Sequence, residues 1–593
     1  MDSSIRRSRM VLIAAAILLV AASWRWRVTG DDGQAWRGTL GSDGAGYFAY
    51  HALFLWQGDR EVYPMRADHL VPAGQGEVIK YMAGAPLMQA PFVGAAHWAG
   101  RLFGGDDKPL ARRYALAISL AALAWCLLGL AALRRLLLDM GFGDIPVAWT
   151  LVVILAGTGL AQHSVMSPAM SHPYAFAAIA CFLLAAWRAW HRNSAIWTVA
   201  AAALWALVSL IRPVNGAVLL TLPLLLLSPG PMLGAWWAGA GRRALVPAVL
   251  VMSLLLLLQP LAWWWQAGAW VVRPYAGEGF LWAEPKVWKS LFGAQKGLFL
   301  HWPLLLMGIV GLWPLWRRSA WAVGGVASHA IILVYVTSAW WSWDYGDSYG
   351  PRPYLDHLAV AAVAISALFD SWWRTSAWRL RWIMSPFIAL TLFQSWQYTV
   401  GIIHPYNMDR EKWRAIRLRT GDVWRGALGG NFEPPPYAPC GMDTILYTSV
   451  TPASLAPPWE QGVRRSTVDG RDYFHLDVGS PYGPTLRIGP EGLPTGRAFQ
   501  VQGRVRRGEP YRGSSHEALV VATLGVPGDV RVYYRFRLND QPHATRWRTW
   551  RHAFRMPAAW PGEQLSWYVW MPHDGEVHLD DIELTIRAVR PCP

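Results

Sequence analysis

The segment Gly41-Ser42-Asp43-Gly44-Ala45-Gly46-Tyr47 sets one carboxylate among glycines, shortly after an N-terminal apolar run. Glycines let a backbone approach a ligand closely and remove side-chain crowding. A carboxylate held in that way can take the proton of a hydroxyl as the hydroxyl oxygen attacks carbon. The same residues also read as a plain turn, or as a cap on a helix beginning near Tyr47. Asp31 and Asp32 are alternative carboxylates closer to the apolar run.

A second concentration of chemistry lies in Trp340-Trp341-Ser342-Trp343-Asp344-Tyr345-Gly346-Asp347-Ser348-Tyr349-Gly350-Pro351-Arg352. Aromatic faces such as Trp341 and Trp343 stack on sugar rings, and Arg352 offers paired donors suited to a phosphate. Asp344 and Asp347 add carboxylates. A belt of Trp at a membrane surface explains the aromatics alone, but does not require the Gly, Asp and Arg that follow. Arg212, between apolar runs with Pro213 and Asn215, is costly in a membrane and reads as functional, with snorkelling to the interface as its plainer role. His172, in Ser167-Pro168-Ala169-Met170-Ser171-His172-Pro173, is a further candidate, although a lone His is usually structural. Arg273, Glu278, Glu284, Lys286 and Lys296 add charges suited to a donor or an acceptor.

The elements that must position these residues follow from hydropathy. Of 593 residues, 53% are hydrophobic and 16% charged, and the apolar residues fall in long runs. Runs of about 18 or more uncharged residues read as membrane-spanning helices. Such runs occupy 12–22, 114–133, 146–162, 174–190, 196–211, 214–227, 245–265, 298–316, 323–340, 355–369 and 383–400. This predicts about eleven helices, since each needs roughly 20 residues with its flanks. The first run also fits a signal peptide, but Ser23-Trp24-Arg25-Trp26-Arg27 is a poor cleavage site and an uncleaved anchor fits better. The piece 85–102, with Pro86, Pro91 and His97, reads as interfacial or re-entrant.

The net charge of +16 would in a soluble chain suggest nucleic acid. Here it falls in clusters at Arg6/Arg7/Arg9, Arg134/Arg135, Arg188/Arg192, Arg242/Arg243, Arg317/Arg318 and Arg374/Arg379/Arg381, at alternate loops. That is the positive-inside pattern. It predicts a cytoplasmic N-terminus and puts Asp43, the loops 164–172, 269–296 and 341–354, and the C-terminal part on the outer side. No nucleic-acid partner is called for, and many of the 39 Trp residues suit the lipid–water boundary.

Composition changes from Tyr406 onward. Residues 407–419 read as a short amphipathic helix and Glu433-Pro434-Pro435-Pro436 as a joint. Beyond it, alternating runs at 473–478, 499–505, 530–537, 564–571 and 577–586 predict an antiparallel β-sandwich. The expected organisation is a transmembrane domain over 1–405 with an outer first loop at 24–111, a linker at 406–439 and the sandwich at 440–593. Cys440 and Cys592 bracket the sandwich and predict a disulfide in an oxidising compartment, two unrelated thiols being the alternative. Cys126 and Cys181 lie in apolar runs and read as inert. There is no Gly-x-x-x-x-Gly-Lys-Ser/Thr phosphate loop and no dense His/Cys cluster. No cofactor is called for, although the outer carboxylates are of the type that holds a divalent metal ion without a spacing that compels one. Activated donors on the outer side must then be carried by lipid, which favours a polyprenyl phosphate.

Four features together resemble a family: Ser42-Asp43-Gly44-Ala45-Gly46-Tyr47, Met170-Ser171-His172, Ile211-Arg212-Pro213-Val214-Asn215, and Trp340-Trp341-Ser342-Trp343 running to Gly350-Pro351-Arg352. Over residues 1–419 the chain resembles bacterial polytopic glycosyltransferases of the GT-C fold, the superfamily of dolichyl-phosphate-mannose protein mannosyltransferases and aminoarabinose transferases. The resemblance implies a multi-pass α-helical protein of the bacterial inner membrane and a polyprenyl-phosphate sugar donor. It also implies a periplasmic glycan, lipid or protein acceptor, and an inverting transfer with Asp43 as base. The mannosyltransferases carry an Asp-Glu pair in this loop, whereas Gly44 follows Asp43 here. The C-terminal region, ending in Leu579-Asp580-Asp581-Ile582-Glu583-Leu584, looks like a periplasmic jelly-roll carbohydrate-binding module. Two other classes fit the same sequence: a flippase of lipid-linked glycans without transfer chemistry, and an envelope scaffold whose β domain binds partners.

Overall fold

The computed structural model describes residues 7–590, leaving out 31–32, 34, 42, 57–68, 105–107, 227–228, 276–277, 406–407, 422–440, 456–458, 460–462, 469, 478, 490–497, 508–517, 527, 538–547, 556–560 and 572–576. Its contacts divide the chain into two units, residues 1–395 and 396–593.

The first unit is helical. Among the described residues six helices are long and apolar enough to cross a membrane: Arg7–Thr29, Arg112–Asp139, His172–His191, Gly230–Ala267, Ala320–Ala339 and Arg352–Trp373. Asp144–Ala156 and Leu160–Met166, bent by 49° at the Gly157-Thr158-Gly159 break, make a seventh if taken as one span. Among the described residues the eleven expected runs yield these six or seven candidates by length and composition. The run 214–227 becomes a 3-10 helix, Pro213–Thr221, followed by the short helix Leu222–Leu226, because Pro213 and Gly216 interrupt it. Pro303 likewise breaks 298–316 into Leu298–His301, Pro303–Leu305 and Leu306–Trp316. Ala195–Ile211 is apolar but shorter than a full span. The last two expected spans belong to one element, Leu358–Thr399, kinked at Ser376.

Ion pairs gather the Arg-rich ends of these helices at one end of the bundle. Asp144 accepts from Ser8, and Arg134 donates to the same Ser8 hydroxyl at 2.6 Å. Asp139 pairs with Arg135 at 2.9 Å and with Arg188 at 3.2 Å, and Asp370 with Arg318 at 2.6 Å. His172, Arg212 and Arg352 sit at the opposite ends of the helices that carry or neighbour these groups. The alternation of basic loops along the sequence thus appears in space as two chemically distinct ends.

Between the first helix and Arg112 the described residues include regular structure despite the polarity of this stretch. It holds the helix Asp43–Leu55, a hairpin of Leu70–Ala73 and Gly76–Ile79, and the helix Gly84–Phe103 with Pro91 inside it.

In the second unit, Asp409 caps the helix Arg410–Ile416 by accepting from the Lys412 N–H at 2.7 Å. The strands that follow form two antiparallel sheets. Tyr482–Ile488, Gln564–Trp570, Leu519–Val526 and Asp529–Arg537 lie side by side in one. Val577–Arg590 is central to the other, pairing with Gly441–Val450, Ala498–Arg507 and Arg471–Leu476. Alternate residues of both sheets share one core, in which Trp567 meets Trp459 edge-on at 5.5 Å. Among the described residues each of the five runs expected as strands holds a strand, and five more strands join them. Cys440 and Cys592 lie outside the described residues, whereas Cys126 and Cys181 are free thiols within helices.

Candidate functional site

Asp43 begins the helix Asp43–Leu55. A carboxylate in the first turn suits the positive end of the helix dipole, and the helix starts at Asp43 rather than near Tyr47. It is also held by side chains from far along the chain. Oδ1 accepts from the Tyr81 hydroxyl at 2.9 Å and Oδ2 from the Arg352 guanidinium at 3.0 Å. Burial pushes the Asp43 carboxyl up. The Arg352 charge, the Tyr81 hydroxyl and His69 outweigh this and hold it below the usual carboxylate value.

Two glycines make this meeting sterically allowed. A Cβ on Gly46 would lie 2.1 Å from the Tyr81 ring, so only glycine lets Tyr81 lie across the helix and reach Asp43. Gly350 has a φ of +68° and packs against the buried Trp302 indole, aiming the Gly350-Pro351-Arg352 turn back at Asp43. Gly46→Ala is therefore expected to displace Tyr81, costing about 1–3 kcal/mol of stability by overpacking. It should lower activity as Tyr81→Phe does, because both substitutions remove the hydroxyl from Asp43. Thermal unfolding and rate measurements on the two variants check this. A Gly46→Ala protein with unchanged rate would show that the Tyr81 bond is idle.

His172 and Arg212 converge on Asp356, which is fully buried. Asp356 Oδ1 accepts from His172 Nδ1 at 2.7 Å; Oδ2 accepts from Asn215 Nδ2 at 2.8 Å and Arg212 Nη1 at 3.3 Å. Asn215 Oδ1 meets His357 Nε2 at 3.3 Å, and His357 Nδ1 pairs with His329 Nε2 at 3.1 Å. Arg212 also lies over the Tyr345 ring, 5.9 Å from its centroid. The Arg212 and Arg352 clusters are neighbours: the two guanidinium charges act on each other, and Tyr47, hydrogen-bonded to Ser171, feels both. The result is one site of two arginines, each paired with its own carboxylate and edged by Tyr47, Tyr81, Tyr275 and Tyr345. Arg352 and Arg212 side chains remain 15% and 21% exposed, and Asp43 is 31% exposed, whereas Asp356 is closed off.

The other sequence candidates are placed around this site with different roles. Glu278 pairs with Lys80 and accepts from the Trp341 indole at 3.3 Å; Lys80 lies over Tyr275 at 5.2 Å. Trp341 is otherwise exposed, Trp343 half-buried, and Arg273 and Asp347 exposed. Asp344 is occupied in holding its own loop, accepting from Ser342 at 2.8 Å and Gln295 at 2.7 Å. Asp31 and Asp32 lie outside the described residues. Among the described residues no three His, Cys, Asp or Glu side chains converge as a metal site.

Lys296 is buried, with its ammonium donating to the Ser348 carbonyl and hydroxyl. It pins the loop that carries Arg352. Burial lowers its pKa to about 7, with Asp347 and Asp344 opposing and Arg352 adding to the shift. The unfolded chain, with an ordinary lysine, binds more protons than the native protein between about pH 7 and 10.4. Stability linked to Lys296 therefore rises with pH through that window. Thermal midpoints should climb from pH 7 to 9 in the native protein by more than in Lys296→Met, and identical pH profiles would contradict this.

Asp356, His357 and Tyr81 are not singled out in the sequence, nor is the Asn215 hydrogen bond to Asp356. Asp356 and His357 stand at the start of an apolar run, and an ionisable pair there was signal enough to mark them. Tyr81 carries no signal in sequence, since its role depends on the space over Gly46.

No known family model matches the chain and no curated protein does. Similar solved structures include the oligosaccharyltransferase AglB of Archaeoglobus fulgidus in complex with an inhibitory peptide and a dolichol-phosphate, with 15% identity, 70% of this chain and 58% of that one covered, and a TM-score of 0.38. They include the arabinosyltransferase EmbB of Mycobacterium smegmatis, with 14% identity, 99% and 65% covered and a TM-score of 0.34. The xylan-binding CBM22-1 domain from Paenibacillus barcinonensis matches 26% of this chain over 97% of its own length, with 14% identity and a TM-score of 0.18. This chain spans less than two thirds of either transferase. Likenesses at these scores carry no argument about its activity. What fold and site define is a helical protein with several candidate membrane-crossing helices, a β-rich C-terminal region, and a paired-charge site at one end of its bundle.

Proposed function

We propose that this protein is a membrane glycosyltransferase that moves a sugar from a polyprenyl-phosphate carrier to an acceptor hydroxyl. The observation that carries the reading is the pairing of Asp43 with Arg352 beside Arg212, at the bundle end opposite the Arg-rich loops. A guanidinium pair is suited to phosphate oxygens, a carboxylate to the acceptor proton, and exposed rings such as Trp341 to a sugar face. With the basic loops in the cytoplasm, the site faces the periplasm, where a lipid-linked donor is the available activated sugar. In this scheme the acceptor oxygen attacks the anomeric carbon opposite the phosphate, which inverts it, and Asp43 accepts the proton. The β-rich unit, a periplasmic sandwich in this reading, recognises the glycan, lipid or protein that accepts. The dolichol-phosphate in the AglB structure is a carrier of the same chemical kind, but the reading rests on this chain's own residues.

The test is a comparison of surface polysaccharide, glycolipids and glycoproteins in cells carrying the native protein, Asp43→Asn, or none. The account expects one glycan species to lose a sugar equally in the last two. A glycan profile in Asp43→Asn cells matching the native one would overturn it.

A further inference from the structure

We propose that Arg352 is shared in time between two anions, Asp43 in the waiting site and the donor's phosphate in the loaded one, so that the base is unmasked only when a donor is present. This rests on the transferase reading above, and it follows from a contrast between the two ion pairs. Asp356 is fully buried and saturated by His172, Asn215 and Arg212, so the Arg212 pair is fixed from three sides. Asp43 is partly exposed and, among the described residues, pairs within ion-pair distance with Arg352, which is itself partly exposed. An anion entering beside the two arginines therefore meets one guanidinium whose carboxylate can be exchanged and one whose carboxylate cannot.

In the waiting state Asp43 is a poor base. Both oxygens accept hydrogen bonds, and its carboxyl lies below the ordinary value although burial alone would raise it. The groups acting on it are Arg352, Tyr81 and His69, with Tyr47 and Tyr275 close enough to feel its charge. Moving Arg352 onto a phosphate removes the strongest stabiliser of the carboxylate and leaves burial to raise its proton affinity. The reaction then balances. The acceptor O–H gives its proton to Asp43 as its oxygen bonds to the anomeric carbon. The bond from that carbon to the phosphate oxygen breaks, and its electron pair leaves with the phosphate, which passes from monoanion to dianion. Asp43 passes from carboxylate to acid, and its proton leaves when Arg352 returns.

The experiment is an infrared pH titration of the full-length protein in detergent. The Asp43 carboxylic-acid band is assigned by its loss in Asp43→Asn, and the probe is undecaprenyl phosphate without a sugar, its binding followed with radiolabel. Saturation is expected to raise the Asp43 midpoint by at least about one pH unit, a tenfold change in proton affinity. In Arg352→Gln the midpoint should start high and stay there. If that variant does not fold, Arg352→Lys serves, with a resting midpoint above the native one. Lipid binding that leaves the Asp43 midpoint in place overturns the exchange but not the donor reading. Failure of the lipid to bind overturns both.

Discussion

Asp43→Asn is expected to lower sugar transfer by about 10²- to 10⁴-fold, the range that a positioned general base contributes, while the protein still folds and inserts. The substitution keeps the size of the side chain and an oxygen able to accept from Tyr81 or Arg352, which hold it at 2.9 and 3.0 Å in the native protein. Stability should change little, because Arg352 is at the edge of solvent and need not stay buried without a counter-charge. What the amide lacks is the ability to take a proton from an attacking hydroxyl. The loss should therefore appear in kcat, with donor affinity retained. Equal losses in kcat and in the thermal midpoint would mean that Asp43 supports the fold instead.

Asp356→Ala is expected to do the reverse and strike the fold first. This carboxylate is fully buried and anchors His172, at the start of one helix, together with Arg212 and Asn215, at the junction of two others. Its removal strands the Arg212 charge and two hydrogen-bond donors, and breaking a buried pair in this way costs about 3–5 kcal/mol. A substantial fall in the detergent thermal midpoint is the expected readout. Asp356→Asn, which keeps the volume and one acceptor, should recover part of the stability but little of the activity, because Arg212 loses its counter-charge. A stable, fully active Asp356→Ala protein would remove the basis for treating Arg212 and His172 as one unit.

The contrast between these residues also shows what was legible in the sequence. Asp43, Arg212, His172 and Arg352 stood out because each is an ionisable or fixed-charge residue next to glycine, proline or an apolar run. All four come together in the structure. Their pairing was not legible: Asp43 and Arg352 are 309 positions apart, and nothing local says which carboxylate meets which arginine. Lys296 and Asp344 had the right residue types for binding a ligand, yet their hydrogen bonds hold the loop before Arg352 in shape.

Among larger features, the long apolar helices and the alternation of the C-terminal strands followed from periods of hydropathy. Hydropathy reads 214–227 and 298–316 as unbroken helices, whereas Pro213 and Pro303 break them, because a window average does not register a lost backbone donor. Strands such as Leu519–Val526, which reads as one apolar run, and Arg548–Arg555, which is largely polar, lacked the expected alternation.

The most direct test is transfer itself, in sealed vesicles that hold the purified protein. Undecaprenyl-phosphate-linked sugars and envelope glycans would be supplied only on the face that carries Asp43, and labelled sugar followed. The account predicts label covalently joined to an acceptor by the native protein and none above background with Asp43→Asn. Movement of the intact lipid-linked sugar across the bilayer, with no label on any acceptor, would contradict it.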